Sequence, residues 1–379
     1  MQKQYLKLLL IILINTTTYS ATQWKNPDPR LRLDQISVLG AHNSLMAKDD
    51  KWIYAQQKWT LTKLLDEGVR SFEIDLATLP NKDQLFVCHG VCDTFAGKAQ
   101  KLGSFDTLQS KMKIFTDWLK QHPDQVIFLM LDIGRDKAMK TNQFDMNMDM
   151  LPADQKNLIL TPADWLPEDH GGEWPTLQWM IDQNKRIVIF NLKEKDSPRY
   201  SYYHVRYIST SGTSPRKDDY TTLSGKSQEA EKTNQGKVHR MFQLSQSNFL
   251  SEQYALDAYN AYRKADLAKS KLEEGASSIA TQLRLRSKSA DNKTKKKREE
   301  AQKQVDKLLN EVPASDYLTI AQIVADCKDA KLMGGMNPNI LQIDWVDQFV
   351  TTDGLKMINQ WNDEASKNLS IESSKARDL

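Results

Sequence analysis

The sequence predicts an α/β fold with a parallel β-sheet, in a chain of 379 residues that is long enough for one barrel with insertions. Short apolar runs that end in polar residues are typical of parallel strands buried on both faces. Six such runs cover residues 36–40, 69–75, 84–89, 126–132, 186–191 and 340–344. Between them, residues 61–67 and 105–121 have apolar side chains at helical spacing, and this alternation indicates a parallel sheet.

The composition is that of a globular protein. Hydrophobic residues make up 40% of the chain, which is enough for a large core. The formal net charge of +3 is small for this length, so the charge gives no reason to expect a nucleic-acid partner. We expect a monomer that does not bind nucleic acid.

The N-terminus has the pattern of a secretory signal. Lys3 and Lys7 precede the apolar run 8–14, and small residues follow. The run is shorter than the roughly 20 residues that span a bilayer as a helix. We therefore expect residues 1–21 to be removed and the mature protein to be secreted or periplasmic. An ordinary buried helix and an uncleaved anchor are the alternatives.

Two segments interrupt the barrel pattern, which otherwise extends over residues 22–362. Residues 196–237 are polar and predict a long loop or small excursion, and residues 251–313 are highly charged and predict one or two solvated helices. Within the charged insertion, residues 284–298 carry eight basic side chains against a single acid. They form either a solvated helical face or a contact with anionic lipid. The polar tail, 363–379, is expected to fray.

The three cysteines predict a disulfide in an exported protein. Cys88 and Cys92 are four residues apart, a spacing that can close a small loop beside His89, and Cys327 is then unpaired. Three free, buried thiols are the alternative. Metal ligation by sulfur is not expected, because no second Cys or His pair has zinc-finger spacing.

Polar side chains recur where the predicted strands end. In a parallel barrel the carboxyl ends of the strands lie at one face, so side chains from separate segments converge there. Singly, such residues are more often structural histidines or helix caps, but together they predict a site. They are His42, Asn43, Glu73, Asp75, His89, Asp132 and Asp344.

The acidic residues among them predict a cation site. Glu73 and Asp75 are two residues apart, so both project from the same face of an extended strand, where their charges repel unless a positive charge lies between them. With Asn43 and Asp132 they make an all-oxygen set that suits a hard cation such as calcium or magnesium. The alternative is an ion pair with Arg70 or a nearby lysine.

Two of the six histidines suit acid–base work on a phosphodiester. One of His42 and His89 removes a proton from the attacking hydroxyl, and the other protonates the leaving oxygen. Asp344 is suitably placed to fix the tautomer of the base. The remaining histidines have no comparable setting and are assigned no role: His122, His170, His204 and His239.

The motifs around these residues resemble the X domain of phosphatidylinositol-specific phospholipases C. Residues 37–44, SVLGAHNS, resemble its opening motif, and residues 68–75 and 85–90 resemble its second and third motifs in the right order. The resemblance implies a distorted TIM (β/α)8-type barrel. It also implies cleavage between phosphate and diacylglycerol, with attack by the inositol 2-hydroxyl to give a cyclic phosphate. Weaker similarity extends over 125–132, 174–191 and 337–346.

The resemblance also implies roles for single residues. His42 matches the first catalytic histidine, His89 matches the general acid, and Asp344 matches the carboxylate that orients the first histidine. Asp75 stands where metal-free bacterial members carry arginine, so the sequence is similar to the calcium-dependent members, with magnesium the less favoured ion. Asp132 departs from the glutamate of that group, and its shorter side chain can shift the ion.

The substrate is less well defined than the reaction. Lys193 and Lys195 are the candidates for binding the inositol phosphate, although they match no clear family motif. With a metal present, Glu73 or Asp75 can share the role of base. The alternatives are a glycerophosphodiesterase or sphingomyelinase-like enzyme on the same barrel, and an exported lipid-binding protein without activity.

Overall fold

The structure is a computed structural model. It describes residues 23–52, 55–79, 81–89, 92, 101, 104–133, 142–192, 199–213, 241–246, 339–344, 346–351 and 354–375. The strands are β1 Val38–Ala41, β2 Ser71–Thr78, β3 Leu85–Val87, β4 Ile127–Asp132, β5 Ile159–Leu160, β6 Ile187–Asn191, β7 Tyr202–Tyr203, β8 Ile208–Thr213, β9 Met241–Gln246 and β10 Ile340–Ile343.

These strands form one mostly parallel sheet. Its hydrogen-bonded order is β5-β6-β4-β2-β1-β10-β9-β8, with β7 paired to β6 and β3 paired to β2. Strand β1, near the start of the chain, is paired with β2 on one side and with β10 on the other. The α/β class and the parallel order predicted from sequence are confirmed, while within the described residues the ring of strands is open between β8 and the β5–β7 side.

Strand β3 corrects one expectation. The run 84–89 was predicted as a parallel strand, but β3 pairs antiparallel to β2, with Leu76 opposite Val87 and Thr78 opposite Leu85. The reason is the short connection between Thr78 and Leu85, because a parallel crossover needs about a dozen residues or more. The hairpin extends beyond the carboxyl end of the parallel sheet and then returns the chain toward it.

The helices are α1 Leu61–Asp66, α2 Leu108–Gln121, α3 Gln143–Asp149, α4 Ala153–Lys156, α5 Leu177–Asp182, α6 His204–Tyr207, α7 Val346–Thr351 and α8 Gly354–Lys375. Three of them begin after a threonine whose hydroxyl oxygen accepts from a backbone N–H in the first turn: Thr60, Thr107 and Thr176. Short 3-10 turns cover Leu33–Gln35, Lys48–Asp50 and Pro167–His170.

The two faces of the sheet pack in different clusters. On β4, Leu129 and Leu131 belong to the cluster that also contains residues of α1 and α2, whereas Phe128 and Met130 belong to the second cluster, which contains Trp174. On β2, the residues with even numbers pack against the helices. Because side chains alternate along a strand, the residues of β2 with odd numbers project from the opposite face. That face carries the candidate site.

Residues 199–213 differ from the polar excursion predicted for 196–237. The structure has strand β7, the turn α6 and the six-residue strand β8 there. Tyr202, Tyr207 and Ile208 are buried in the second core cluster, and this burial of large side chains stabilises structure in a segment whose composition is polar.

The C-terminal tail is also more ordered than predicted. Helix α8 continues to Lys375, although fraying was expected from 363 onward. Ala365 and Leu369 pack against the second core cluster, and this contact accounts for the longer helix. The charged insertion 251–313, with the basic segment 284–298, lies outside the described residues. None of the helices in the described ranges combines the length and hydropathy needed to cross a bilayer.

Candidate active site

The site begins where β1 and β10 end side by side. Ala41 and Ile343 are paired in register, so the next residue of each strand, His42 and Asp344, are neighbours. His42 Nδ1 lies 2.7 Å from Asp344 Oδ1, and the Asp344 side chain is completely buried. A carboxylate at this nitrogen holds the proton on Nδ1 and leaves Nε2 for chemistry.

The charges around His42 raise its basicity. Burial by itself lowers the pKa of the imidazole, but attraction to Asp344, Glu73 and Asp75 is stronger and raises the pKa to about 9. In the protein without other ions, His42 therefore carries a positive charge at neutral pH. The ring is still accessible, with 17% of its side chain exposed.

Strand β2 places one carboxylate beside each histidine. Glu73 Oε2 lies 3.8 Å from His42 Nε2, and Asp75 Oδ2 lies 3.7 Å from His89 Nε2. Glu73 and Asp75 project from the same face of β2. The imidazole beside each of them therefore lies at that face. His89 is the more accessible of the two histidines, with 37% of its side chain exposed.

His89 reaches the site because of the β2–β3 hairpin. The backbone N–H of Cys88 donates to the carbonyl of Asp75 at 3.1 Å, which holds the chain after β3 against β2. Cys88 and Cys92 are joined in a disulfide, as the sequence predicted, with their Cα atoms 6.1 Å apart. The disulfide closes a loop of five residues that includes His89, and this restricts the backbone that carries the histidine.

Asn43 and Asp132 complete the predicted oxygen set. Asn43 has φ of 45°, a left-handed conformation that asparagine tolerates better than most residues, and its side-chain Nδ2 donates to Gln56. Its Oδ1 atom is buried and has no hydrogen-bond partner among the residues that the structure describes. Asp132 lies opposite Asp75 in the β2–β4 register, so both carboxylates share a face of the sheet.

The chemical types of these oxygen-bearing side chains suit a hard cation better than the spacing between the side chains does. A buried asparagine oxygen without a partner and three nearby carboxylates are the chemistry that calcium prefers. Yet across the described ranges no group of three or more His, Cys, Asp or Glu side chains is placed to hold a metal. Glu73 Oε2 accepts a hydrogen bond from Gln342 Nε2 of β10.

Two glutamines of the site were not identified from the sequence. Gln57 is completely buried, and its Nε2 donates to the carbonyls of His42 at 2.8 Å and Ile343 at 3.0 Å, while its Oε1 accepts from the N–H of Val346. It lies in a loop with no periodic pattern, so nothing in the sequence marked it. Gln342 did carry a signal, since it is the one polar residue within the apolar strand β10.

Two of the predicted site residues cannot be placed. Lys193 and Lys195, the candidates for binding the inositol phosphate, lie outside the described residues. The other seven are brought to the carboxyl ends of β1, β2, β4 and β10 and to the loop after β3. The site is therefore an acidic cluster with two histidines, one paired with the buried Asp344 and the other more accessible to solvent.

Comparisons with known proteins agree with the motifs. Residues 30–217 match the PI-PLC X family model, described as PI-PLC X 1. A PI-PLC X domain-containing protein 1 of Arthroderma benhamiae is 27% identical over 172 residues, which are 45% of this chain and 50% of the relative. An uncharacterized secreted protein of the same organism is 26% identical over 158 residues, 41% of this chain and 31% of the relative. The chain thus spans half or less of the length of these relatives.

Solved structures also match part of the chain. A double mutant of the phosphatidylinositol-specific phospholipase C from S. aureus superposes with a TM-score of 0.37 and 16% identity, covering 65% of this chain and 84% of that one. Another mutant of the Staphylococcus aureus enzyme gives a TM-score of 0.37 at 15% identity. On the match of its sequence over residues 30–217, the chain belongs to the PI-PLC X family.

Proposed function

We propose that the protein is a phosphodiesterase that cleaves phosphatidylinositol-type phospholipids into diacylglycerol and an inositol cyclic phosphate. The observation that carries this proposal is the pair of imidazoles, each of which lies beside a carboxylate of β2. His42 is backed by the buried Asp344 at 2.7 Å, and His89 lies beside Asp75 at 3.7 Å. Two histidines that flank a common position suit a reaction that needs a base and an acid at once.

The proton transfers follow from this geometry. In its neutral form, with the proton on Nδ1, His42 accepts the proton of the inositol 2-hydroxyl at Nε2, and the oxygen of that hydroxyl forms a bond to phosphorus. The bond from phosphorus to the diacylglycerol oxygen breaks, and His89 donates a proton to that oxygen. Asp344 stabilises the charge that His42 gains, and its burial strengthens the interaction. Glu73, at 3.8 Å from His42 Nε2, is the second group able to share the base role.

We propose calcium as the cofactor, held by Asn43, Glu73, Asp75 and Asp132, with magnesium the less favoured ion. The unpaired Asn43 oxygen and the shared face of Asp75 and Asp132 support this set. A bound calcium ion would offset the charge of the carboxylates, which lowers the pKa of His42, and would neutralise negative charge on the phosphate.

We further propose that the protein is exported and acts as a monomer at a lipid surface, with the basic segment 284–298 as the peripheral contact and Lys193 and Lys195 near the head group. The signal-like residues 1–21 and the Cys88–Cys92 disulfide support export, because disulfides persist in oxidising compartments. The name of one relative, an uncharacterized secreted protein, agrees with this.

Replacing the histidines tests the mechanism. His42→Ala and His89→Ala should each lower kcat by about 10²-fold or more, the usual scale for a positioned acid or base. His170→Ala is the matched control, because His170 is exposed on a 3-10 turn and stacks on Trp165 instead of facing the site. Full activity of both site variants would rule out the mechanism.

A lipid panel tests the substrate. Release of inositol phosphate, glycerophosphate and phosphocholine is measured from vesicles of defined composition, with calcium and with a chelator. The proposal expects inositol phosphate, and only with calcium. Glycerophosphate or phosphocholine as the main product would replace it with another phosphodiesterase of the same fold. Vesicle binding without any product would indicate a lipid-binding protein.

A further inference from the structure

A row of buried polar side chains leads from the site into the sheet. Gln342 of β10 donates through Nε2 to Glu73, and its Oε1 accepts from Nε2 of Gln243 on β9. The Oε1 atom of Gln243 lies 3.1 Å from Nε2 of His204, at the start of α6. His204, Gln243 and Gln342 are all at most 5% exposed. We call these three residues the relay.

The direction of every hydrogen bond in the relay is fixed by its charged end. An ionised carboxylate only accepts, so Gln342 must present its amide N–H to Glu73 and its carbonyl oxygen to Gln243. Gln243 then donates to Gln342 and also to Ser245 Oγ at 2.9 Å, which leaves its carbonyl oxygen toward His204. His204 must therefore donate from Nε2, and one proton arrangement satisfies the whole row.

Because these side chains are buried, losing one of their hydrogen bonds would lower the free energy of unfolding. A buried polar group that loses its partner costs about 1–3 kcal/mol, and more when it is charged. With the His204 proton on Nε2, turning either amide around would oppose two donors or two acceptors at both of its ends. Glu73, whose side chain is 15% exposed, is consequently anchored by a chain of buried groups instead of one surface contact.

We propose that His204, Gln243 and Gln342 are positioning residues that hold the Glu73 carboxylate beside His42. The proposal rests on the proposed function for its effect on rate, while its structural part stands on the contacts alone. It assigns a role to His204, which had none in the sequence analysis. It also connects the site to β9 and α6, two elements that contribute no predicted site residue of their own.

The test compares paired variants at His204. His204→Phe keeps an aromatic ring beside Phe190 but removes the donor, whereas His204→Gln offers an amide N–H in place of Nε2. We expect His204→Phe to lower kcat by about tenfold or more with KM little changed, the scale typical of residues that orient a ligand or catalytic group. His204→Gln should recover most of that loss. Equal losses in both variants, or none in either, would overturn the proposal.

A second variant acts at the other end of the relay. Gln342→Glu is isosteric and still accepts from Gln243, but it sets a carboxylate against Glu73. Asn362→Asp is its control, because Asn362 is as deeply buried and donates to the carbonyl of Ser37, outside the site. We expect Gln342→Glu alone to lower kcat, and equal losses of kcat in the two variants would indicate a general effect on stability.

An NMR measurement separates this proposal from the proposed function. In the full-length protein without calcium, the ¹⁵N shifts of His204 should show the proton on Nε2. The ring signals of His42 should move in Gln342→Glu and stay in place in Asn362→Asp. If those results hold while no lipid is cleaved, the relay stands and the phosphodiesterase assignment fails. A proton on Nδ1 alone, or an unmoved His42, contradicts the relay.

Discussion

The two histidines of the site have different surroundings, although both face carboxylates of β2. His42 is largely buried and has Asp344 at hydrogen-bond distance, whereas His89 is more exposed and its contact with Asp75 is 3.7 Å long. A tightly held imidazole keeps its tautomer, while a looser one can exchange protons with solvent and substrate. The contrast favours His42 as the group with a fixed role and His89 as the group that gives its proton to the leaving oxygen.

The raised pKa of His42 makes protein stability depend on pH. Its pKa is about 9 in the folded protein and 6.5 in the reference state. A base with a raised folded pKa stabilises the fold fully below the lower value and loses this contribution as the pH rises through the higher one. We therefore expect the free energy of unfolding to fall between pH 6.5 and 9 by on the order of 3 kcal/mol, since one pKa unit corresponds to about 1.4 kcal/mol and most of the titration lies in this window.

Urea unfolding at several pH values in this window measures the effect, with a chelator present so that only the charges of the protein act. Asp344→Asn is the control, because it removes the strongest attraction that His42 feels and should flatten most of the decline. A wild-type profile as flat as that of the variant would show that His42 is not held as an imidazolium.

Gln57 connects three elements behind the site. Its amide group joins the last residues of β1 and β10 to the first residue of α7. Asn339 does the same at the opposite end of β10, where it donates to the carbonyls of Asp34 and Ile36. The two residues can therefore be compared by mutation, since Gln57 lies beside the candidate catalytic groups and Asn339 is remote from them.

Replacing each by leucine separates stability from positioning. Both Gln57→Leu and Asn339→Leu leave buried carbonyl groups without donors, and each should lower the free energy of unfolding by roughly 2–3 kcal/mol. Only Gln57→Leu should also lower kcat, because it frees the backbone that carries His42 and Asp344. The check is urea unfolding together with steady-state kinetics below the unfolding transition. A loss of kcat in both variants would mean that Gln57 has no special link to the site.

The elements that the sequence could predict are those with strong local patterns. Strands β1, β2, β4, β6 and β10 are apolar runs, and the helices beginning at Leu61 and Leu108 have clear periodicity. Strands β8 and β9 were missed because neither is a continuous apolar run: β8 is mostly polar, and half of the residues of β9, such as Gln243, are polar. Tertiary packing, not local pattern, gives the tail helix α8 its length. The orientation of β3 depended on loop length, which the apolar run did not show.

The candidate site, like the fold, could be predicted only where the local sequence has a clear pattern. Residues directly after a strand, such as His42 and Asp344, can be placed from strand ends alone, because parallel strands end at one face. The roles of Gln57 and Gln342 depend on register and on a loop that folds back, so they appear only once β1 and β10 are seen to be neighbours. The spacing of the acidic oxygens could not be predicted, since it depends on side-chain rotamers.

Residues beyond the region matched by the family model also contribute to the candidate site. Six of the seven predicted site residues that the structure describes lie within residues 30–217, but Asp344 does not, and neither do Gln243 and Gln342. Strand β10 pairs with β1 over four residues, so the two ends of the chain share one ladder. This arrangement makes folding of the distant C-terminal part a condition for fixing His42.

Calcium binding should therefore stabilise the molecule as a whole. A ligand that binds only the folded state at 100 times its dissociation constant adds about 2.7 kcal/mol. For a chain of this size we expect Tm to rise by a few degrees, about 4 °C at that level of saturation. Thermal unfolding is followed in a chelator and in a calcium series, with magnesium as the comparison ion.

Two variants test whether the rise in Tm comes from calcium bound at the candidate site. Asp75→Asn removes one charge from the oxygen set, and affinity should fall because a hard cation is held mainly by ionised oxygens. Asp154→Asn removes one charge from the surface, where Asp154 pairs with Lys120, and should leave the calcium response unchanged. A shift in Tm that survives Asp75→Asn would assign calcium to another place on the protein, and no shift in the wild type would remove the cation from the mechanism. In that second case, Glu73 beside His42 would be the group left to share the role of base.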